Sequence, residues 1–119
     1  MKVPKDSKID SIGLSETGNA TYYYYNTKRI AANGSVYDPT AMTCAYYRHT
    51  NAKRKYLNRQ VRVCTDTCIV LTVTDNGAFR DGNYQKLNRV IDLTPYAFKL
   101  LGGKKEQGVL KNVRVVVLN

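Results

Sequence analysis

Apolar and polar residues alternate along much of this chain, with the two-residue period of half-buried strands. The clearest case is "QVRVCTDTCIVLTVTD", residues 60–75, where Val61 and Val63 precede a short turn and Ile69, Leu71 and Val73 follow it. Two strands joined by a hairpin turn fit that pattern. "ATYYYY" (residues 20–25) is rich in aromatic and β-branched residues and predicts another strand. "AMTCAYY" (41–47), "RVID" (89–92) and "VLKNVRVVVLN" (109–119) predict three more short strands. "AANGSVYDP" (31–39) carries Asn-Gly and Asp-Pro and predicts turns. One segment changes period. In "TPYAFKLLGG", Thr94 and Pro95 read as N-cap and first helical position. Ala97, Phe98, Leu100 and Leu101 follow at helical spacing, and Gly102-Gly103 stops the helix. About six short strands and one short helix imply an all-β domain, a small barrel. Residues 1–18 are polar and read as a flexible arm, which leaves 19–119 as the domain.

The chain has 119 residues, the size of one domain that can bury a core unaided. Charge adds a partner class. Lys+Arg number 19 against 9 Asp+Glu, a formal charge of +10. Such an excess implies an anionic neighbour: nucleic acid, anionic lipid or an anionic cell-wall polymer. It is densest in "RHTNAKRKYLNRQVR", Arg48 to Arg62, which holds no acid and equally fits a solvated basic loop. Ten tyrosines against two phenylalanines and no tryptophan supply flat rings with polar tips, as sheet surfaces and sugar grooves both use. No apolar run is long enough to span a membrane. The start, "MKVPKDSKIDSIGLSETG", lacks the apolar segment of a signal peptide.

Three cysteines cannot all pair within one chain. Cys64 and Cys68 flank "TDT", where a hairpin could bring them to disulfide distance. The default is three reduced cysteines used as small core residues. His49 is the only histidine, so no metal site and no cofactor is expected.

Several motifs then fall into a recognisable order. "TYYYY" (Thr21–Tyr25), "AANGSVYDP" (Ala31–Pro39) and "MTCAYY" (Met42–Tyr47) come first. "VRV" (Val61–Val63), "TDNGAF" (Thr74–Phe79), "RVIDLTPYAFKLLG" (Arg89–Gly102) and "VRVVVL" (Val113–Leu118) follow. In order and spacing this resembles the double-psi β-barrel domain of the rare lipoprotein A-like family, related to barwin and expansin domains. The resemblance implies a six-stranded double-psi β-barrel with one short helix. It also implies lytic transglycosylase-like action on peptidoglycan glycan strands, in which a MurNAc–GlcNAc bond is cleaved without water. A single acid can serve both steps, protonating the glycosidic oxygen and then accepting the proton of the sugar's 6-hydroxyl. A carboxyl titrating near 4 donates at neutral pH only where burial or a neighbouring acid raises it.

By the resemblance Asp75 is the aspartate of the family's Asp-Arg-Gly-Pro-Phe motif and the expected acid. His49 is its candidate partner, since Tyr46 stands where the family has His. Ser35 stands where the family has Glu after Asn-Gly, Asn76 replaces the Arg, and Ala78 the Pro. Tyr46, Tyr47, Asn33, Ser35, Asn76 and Gly77 are the expected substrate-binding residues. Structural alternatives stand beside these roles. Asp75 could close an Asx turn on Gly77, Asp92 reads as a capping or internal hydrogen-bonding residue, and His49 could be a plain loop residue. A cell-wall enzyme with no visible export signal would suit a phage product, carried in the virion beside other virion proteins or released at lysis to reach the periplasm. A second reading is a non-catalytic wall-binding or virion barrel. A third is nucleic-acid binding, with Tyr47 and Tyr56 interleaved among basic residues as in single-strand binders.

Overall fold

The computed structural model describes residues 15–24, 28–46, 56–76 and 88–118. Six strands and one helix are found among them: β1 (Ser15–Tyr22), β2 (Thr43–Ala45), β3 (Gln60–Cys64), β4 (Cys68–Asp75), β5 (Arg89–Leu93), α1 (Pro95–Leu100) and β6 (Val109–Val117). The strands close into a barrel in the order β1-β5-β2-β4-β3-β6. The β1/β5 and β2/β4 pairs are parallel and the remaining four are antiparallel. This is the closed six-stranded barrel with one short helix that the motifs imply.

Alternation builds the core. Val61 and Val63 of β3, Leu71 and Val73 of β4, and Val113, Val115 and Val117 of β6 are all fully buried. Their β-branched or bulky side chains fill the barrel, where each fully buried one contributes about 1.5–3 kcal/mol. Closure leaves no open edge among the six strands, so the backbone groups of the ladder are paired within the fold.

β1 begins earlier than the sequence pattern suggests. Ser15–Gly18, read above as part of the arm, pairs with β6 from Ser15↔Val116 to Gly18↔Val113. Gly18 is there for space, not flexibility. A Cβ at this position would lie 2.5 Å from a Val90 methyl and 2.8 Å from the Asn88 carbonyl. The glycine lets β5 approach β1, and the strand register shifts beside it.

The β3–β4 hairpin is in register from Gln60↔Thr72 to Cys64↔Cys68. The last pair sets the two cysteines directly opposite each other, Cα atoms 4.0 Å apart, and they form a disulfide. The expectation of three reduced cysteines is therefore corrected. It holds for Cys44, a buried free thiol, and fails where hairpin register overrides it.

α1 forms as its sequence requires. The Ala97 N–H donates to the Thr94 hydroxyl (3.3 Å), and Pro95 opens the helix. Thr94 also donates to the Ala41 carbonyl (2.7 Å), tying the helix start to the segment before β2. Ala97 and Phe98 face the core. The Gly103 N–H then donates to the Phe98 carbonyl (2.9 Å) and turns the chain away.

Candidate functional site

Asp75 is the last residue of β4, half-buried at one end of the barrel. Its position depends on an irregularity. β2 and β4 run in register through Thr43↔Thr72 and Cys44↔Val73, and then Ala45 meets Asp75. Thr74 is the extra residue, as in a β-bulge, which commonly re-aims a strand end. The bulge directs the Thr74 carbonyl to a loop: the Asn33 N–H donates to it at 3.1 Å. The turn at Asn33–Ser35 is thereby fixed beside Asp75. Within that turn the Ser35 N–H (3.0 Å) and hydroxyl (2.6 Å) both donate to the Asn33 Oδ1. The Asn33 amide donates in turn to the Asn58 Oδ1 (2.9 Å). One oxygen of Asp75, Oδ1, accepts the Asn76 N–H (2.9 Å).

Around Asp75 the structure gathers groups that spacing alone does not bring together. Tyr23, Arg29, Ile30, Ala31 and Tyr37 share a recess with it. The Tyr37 hydroxyl donates to the Tyr23 carbonyl (2.6 Å), and the two rings lie 5.1 Å apart. Burial pushes the Tyr23 phenol well above its usual range, and the nearby Cys44, Asp75 and Tyr37 add to the shift. A bond with the Thr74 side chain opposes it. Tyr23 is therefore a neutral hydroxyl at any physiological pH. The recess holds about 20 Å³, the space of one water.

A second carboxylate lies at the same level. Ala45 is in register with Asp75 on one side and with Asp92 of β5 on the other. Two inter-strand spacings place the two backbones roughly 10 Å apart. Asp92 is half-buried and accepts the hydroxyl of buried Thr21. The Cys44 thiol is pushed far up by its complete burial and then by the Asp92 charge. The internal hydrogen bond expected of Asp92 is present, and its place beside the Asp75 cluster was not foreseen. Only strand order, which no local spacing encodes, puts Asp75 and Asp92 either side of β2.

Other expected residues fall elsewhere. Tyr46 is not on a surface: its ring is fully buried, 5.5 Å from the Tyr56 ring, and its hydroxyl donates to Glu16 Oε1 (2.7 Å). It presents no ring face to a sugar. The bulge explains the position, because the Tyr46 N–H donates to the Asp75 carbonyl (3.0 Å) and carries the chain inward beneath the site. Tyr56 is likewise a core ring and not a stacking platform for bases. Arg59, from the same basic stretch, donates through Nε and a terminal nitrogen to the Leu118 carbonyl. His49, Tyr47 and Gly77, with the basic run from Arg48 to Lys55, lie outside the described residues. No group of three or more metal-ligating side chains occurs among the described residues, and no described helix is long and apolar enough to cross a membrane.

The model of one protein family, described as lytic transglycolase, matches residues 15–115. Among solved structures the chain is similar to the Streptomyces papain inhibitor, with a TM-score of 0.67 and 22% identity over 91% of this chain and 97% of that one. At that identity the likeness is one of fold. No curated protein sequence matches.

Proposed function

The chain belongs to the lytic transglycolase family of double-psi β-barrels, and from that membership we propose that it acts on the glycan strands of peptidoglycan, with Asp75 as the acid–base residue. The observation that carries this reading is the bulge at the end of β4, which holds Asp75 beside the Asn33–Ser35 turn and the neutral Tyr23 hydroxyl. In the proposed sequence the Asp75 carboxyl gives its proton to the departing glycosidic oxygen. The resulting carboxylate then takes the proton of the sugar's own C6 hydroxyl as that oxygen closes on C1, leaving a 1,6-anhydro end. Asn33, Ser35 and Asn76 border this position and would contact the strand. The Cys64–Cys68 disulfide suits a protein that works outside the reducing cytosol, as the periplasm or cell wall requires.

A second reading has its own observation. Tyr46, at the position of the family's histidine, is locked in the core, and Ser35 takes the place of its glutamate. A wall-binding barrel without catalysis fits those two residues.

The test is a digest of purified peptidoglycan by the wild type and by Asp75→Ala and Asp92→Asn, analysed by mass spectrometry. Anhydro-muropeptides from wild type, reduced at least ~100-fold in Asp75→Ala, are expected, the range a lost general acid–base residue gives. Reducing ends in place of anhydro ends would instead indicate a two-carboxylate hydrolysis. No products, with retained sedimentation on the wall polymer, would establish the non-catalytic reading.

A further inference from the structure

A cleft of about 840 Å³ shares no residue with the Asp75 recess. At the end of β1 the consecutive tyrosines divide between the two. Tyr23 lines the recess, while Tyr22 and Tyr24 line the cleft.

The cleft is built from rings. Tyr22 and Phe98 lie 4.8 Å apart and tilted by 48°. Gly103 makes that arrangement possible, since a Cβ there would fall 2.4 Å from the Phe98 ring. Tyr24 (61% exposed) and Tyr96 (44% exposed) offer open aromatic faces. The Tyr96 N–H donates to the Pro39 carbonyl (3.2 Å), which fixes the Pro39 side against α1. The Tyr22 hydroxyl donates to the Lys105 carbonyl (3.2 Å) and ties down the opposite loop. Two exposed cations, Lys99 and Lys105, line the cleft, and no acid does so among the described residues.

We propose that this cleft is a second glycan-binding site, selective for sugar strands that carry carboxylates. This rests on the glycan reading above and adds a place and a charge preference to it. The volume lies in the range of pockets that enclose small ligands or a short stretch of a polymer. Sugar rings have apolar C–H faces that suit open tyrosine rings, and polar edges that suit tyrosine hydroxyls. The two lysines complement carboxylates on the strand, and an attraction between exposed charges of this kind is modest and weakened by salt.

The experiment is an NMR titration of the full chain at low ionic strength with two tetrasaccharides. One is the neutral N-acetylglucosamine tetramer. The other alternates N-acetylglucosamine with N-acetylmuramic acid and so bears lactyl carboxylates. Amide shifts at Tyr22, Tyr24, Tyr96 and Lys99 are expected with both, and about fivefold tighter binding of the anionic oligomer. The double variant Lys99→Gln/Lys105→Gln should erase the difference between them. Tyr96→Ala should weaken both. All three positions are exposed, and a thermal melt confirms that the variants fold. Equal affinity for the two oligomers in wild type, or shifts confined to the surroundings of Asp75, would overturn the cleft proposal and leave the glycan reading standing. No shift anywhere with either sugar would overturn both.

Discussion

Cys44 sits fully buried between the two strands that bear Asp75 and Asp92, and its thiol is held far above its usual range by burial first and then by Asp92. The unfolded chain releases this proton from about pH 8.5 upward, while the folded chain keeps it. The contribution to stability is thus complete below pH 8.5 and declines as pH rises beyond it. Tyr23 has the same sign, beginning near pH 10. Melting temperature should therefore fall above about pH 8.5, and Cys44→Ala should flatten the first part of that fall. A thiol titration gives an independent reading: no reactive thiol in the native protein, and one per chain in denaturant, since Cys64 and Cys68 are joined. Tyr46 separates packing from hydrogen bonding. Tyr46→Phe removes the hydroxyl that donates to Glu16 while keeping the ring, and should cost about 1 kcal/mol in denaturant unfolding. Tyr46→Ala leaves a core cavity beside Tyr56 and should cost about 3–5 kcal/mol. Residue identity did not reveal this role, because a tyrosine after a short apolar run suits a groove wall as well as a core.

At the scale of the element, α1 is held by one side chain. Thr94 accepts from Ala97 and donates to Ala41, so it caps the helix and fastens it to the chain entering β2. Thr94→Ala should destabilise the protein by about 1–2 kcal/mol in a urea titration, whereas Thr94→Ser, which keeps the hydroxyl, should recover most of it. The Thr-Pro start and Gly-Gly stop made this helix legible in the sequence, and the alternation of Val61–Val63 and Ile69–Val73 did the same for the central hairpin. Those signals act within a few residues of one another. Gly18 misled for the opposite reason: its cause is a Val90 side chain and an Asn88 carbonyl about seventy residues away. The site divides along the same line. Asp75 at a strand end was legible from its local motif. The bulge at Thr74, the burial of Tyr46 and the approach of Asp92 arise from strand order, which a linear pattern does not carry.

For the whole molecule, closure sets which segments meet at each surface. The strand order carries β2 between β4 and β5, so one short three-residue strand separates the two carboxylates. The aromatic cleft instead gathers the end of β1, the segment before β2, and α1 with the loop after it. Two surfaces of different chemistry thus share one rigid scaffold. Closure also brings together the two ends of the described barrel. Ser15, where β1 starts, pairs with Val116, one residue before β6 finishes. Entry and exit are side by side, so the barrel is a bead that can be threaded into a surface loop of another protein without prising either apart. For the same reason a short bridge from residue 117 back to residue 15 would let the chain be cut open at the exposed 104–107 turn, giving a rearranged gene whose product closes the same ring of strands.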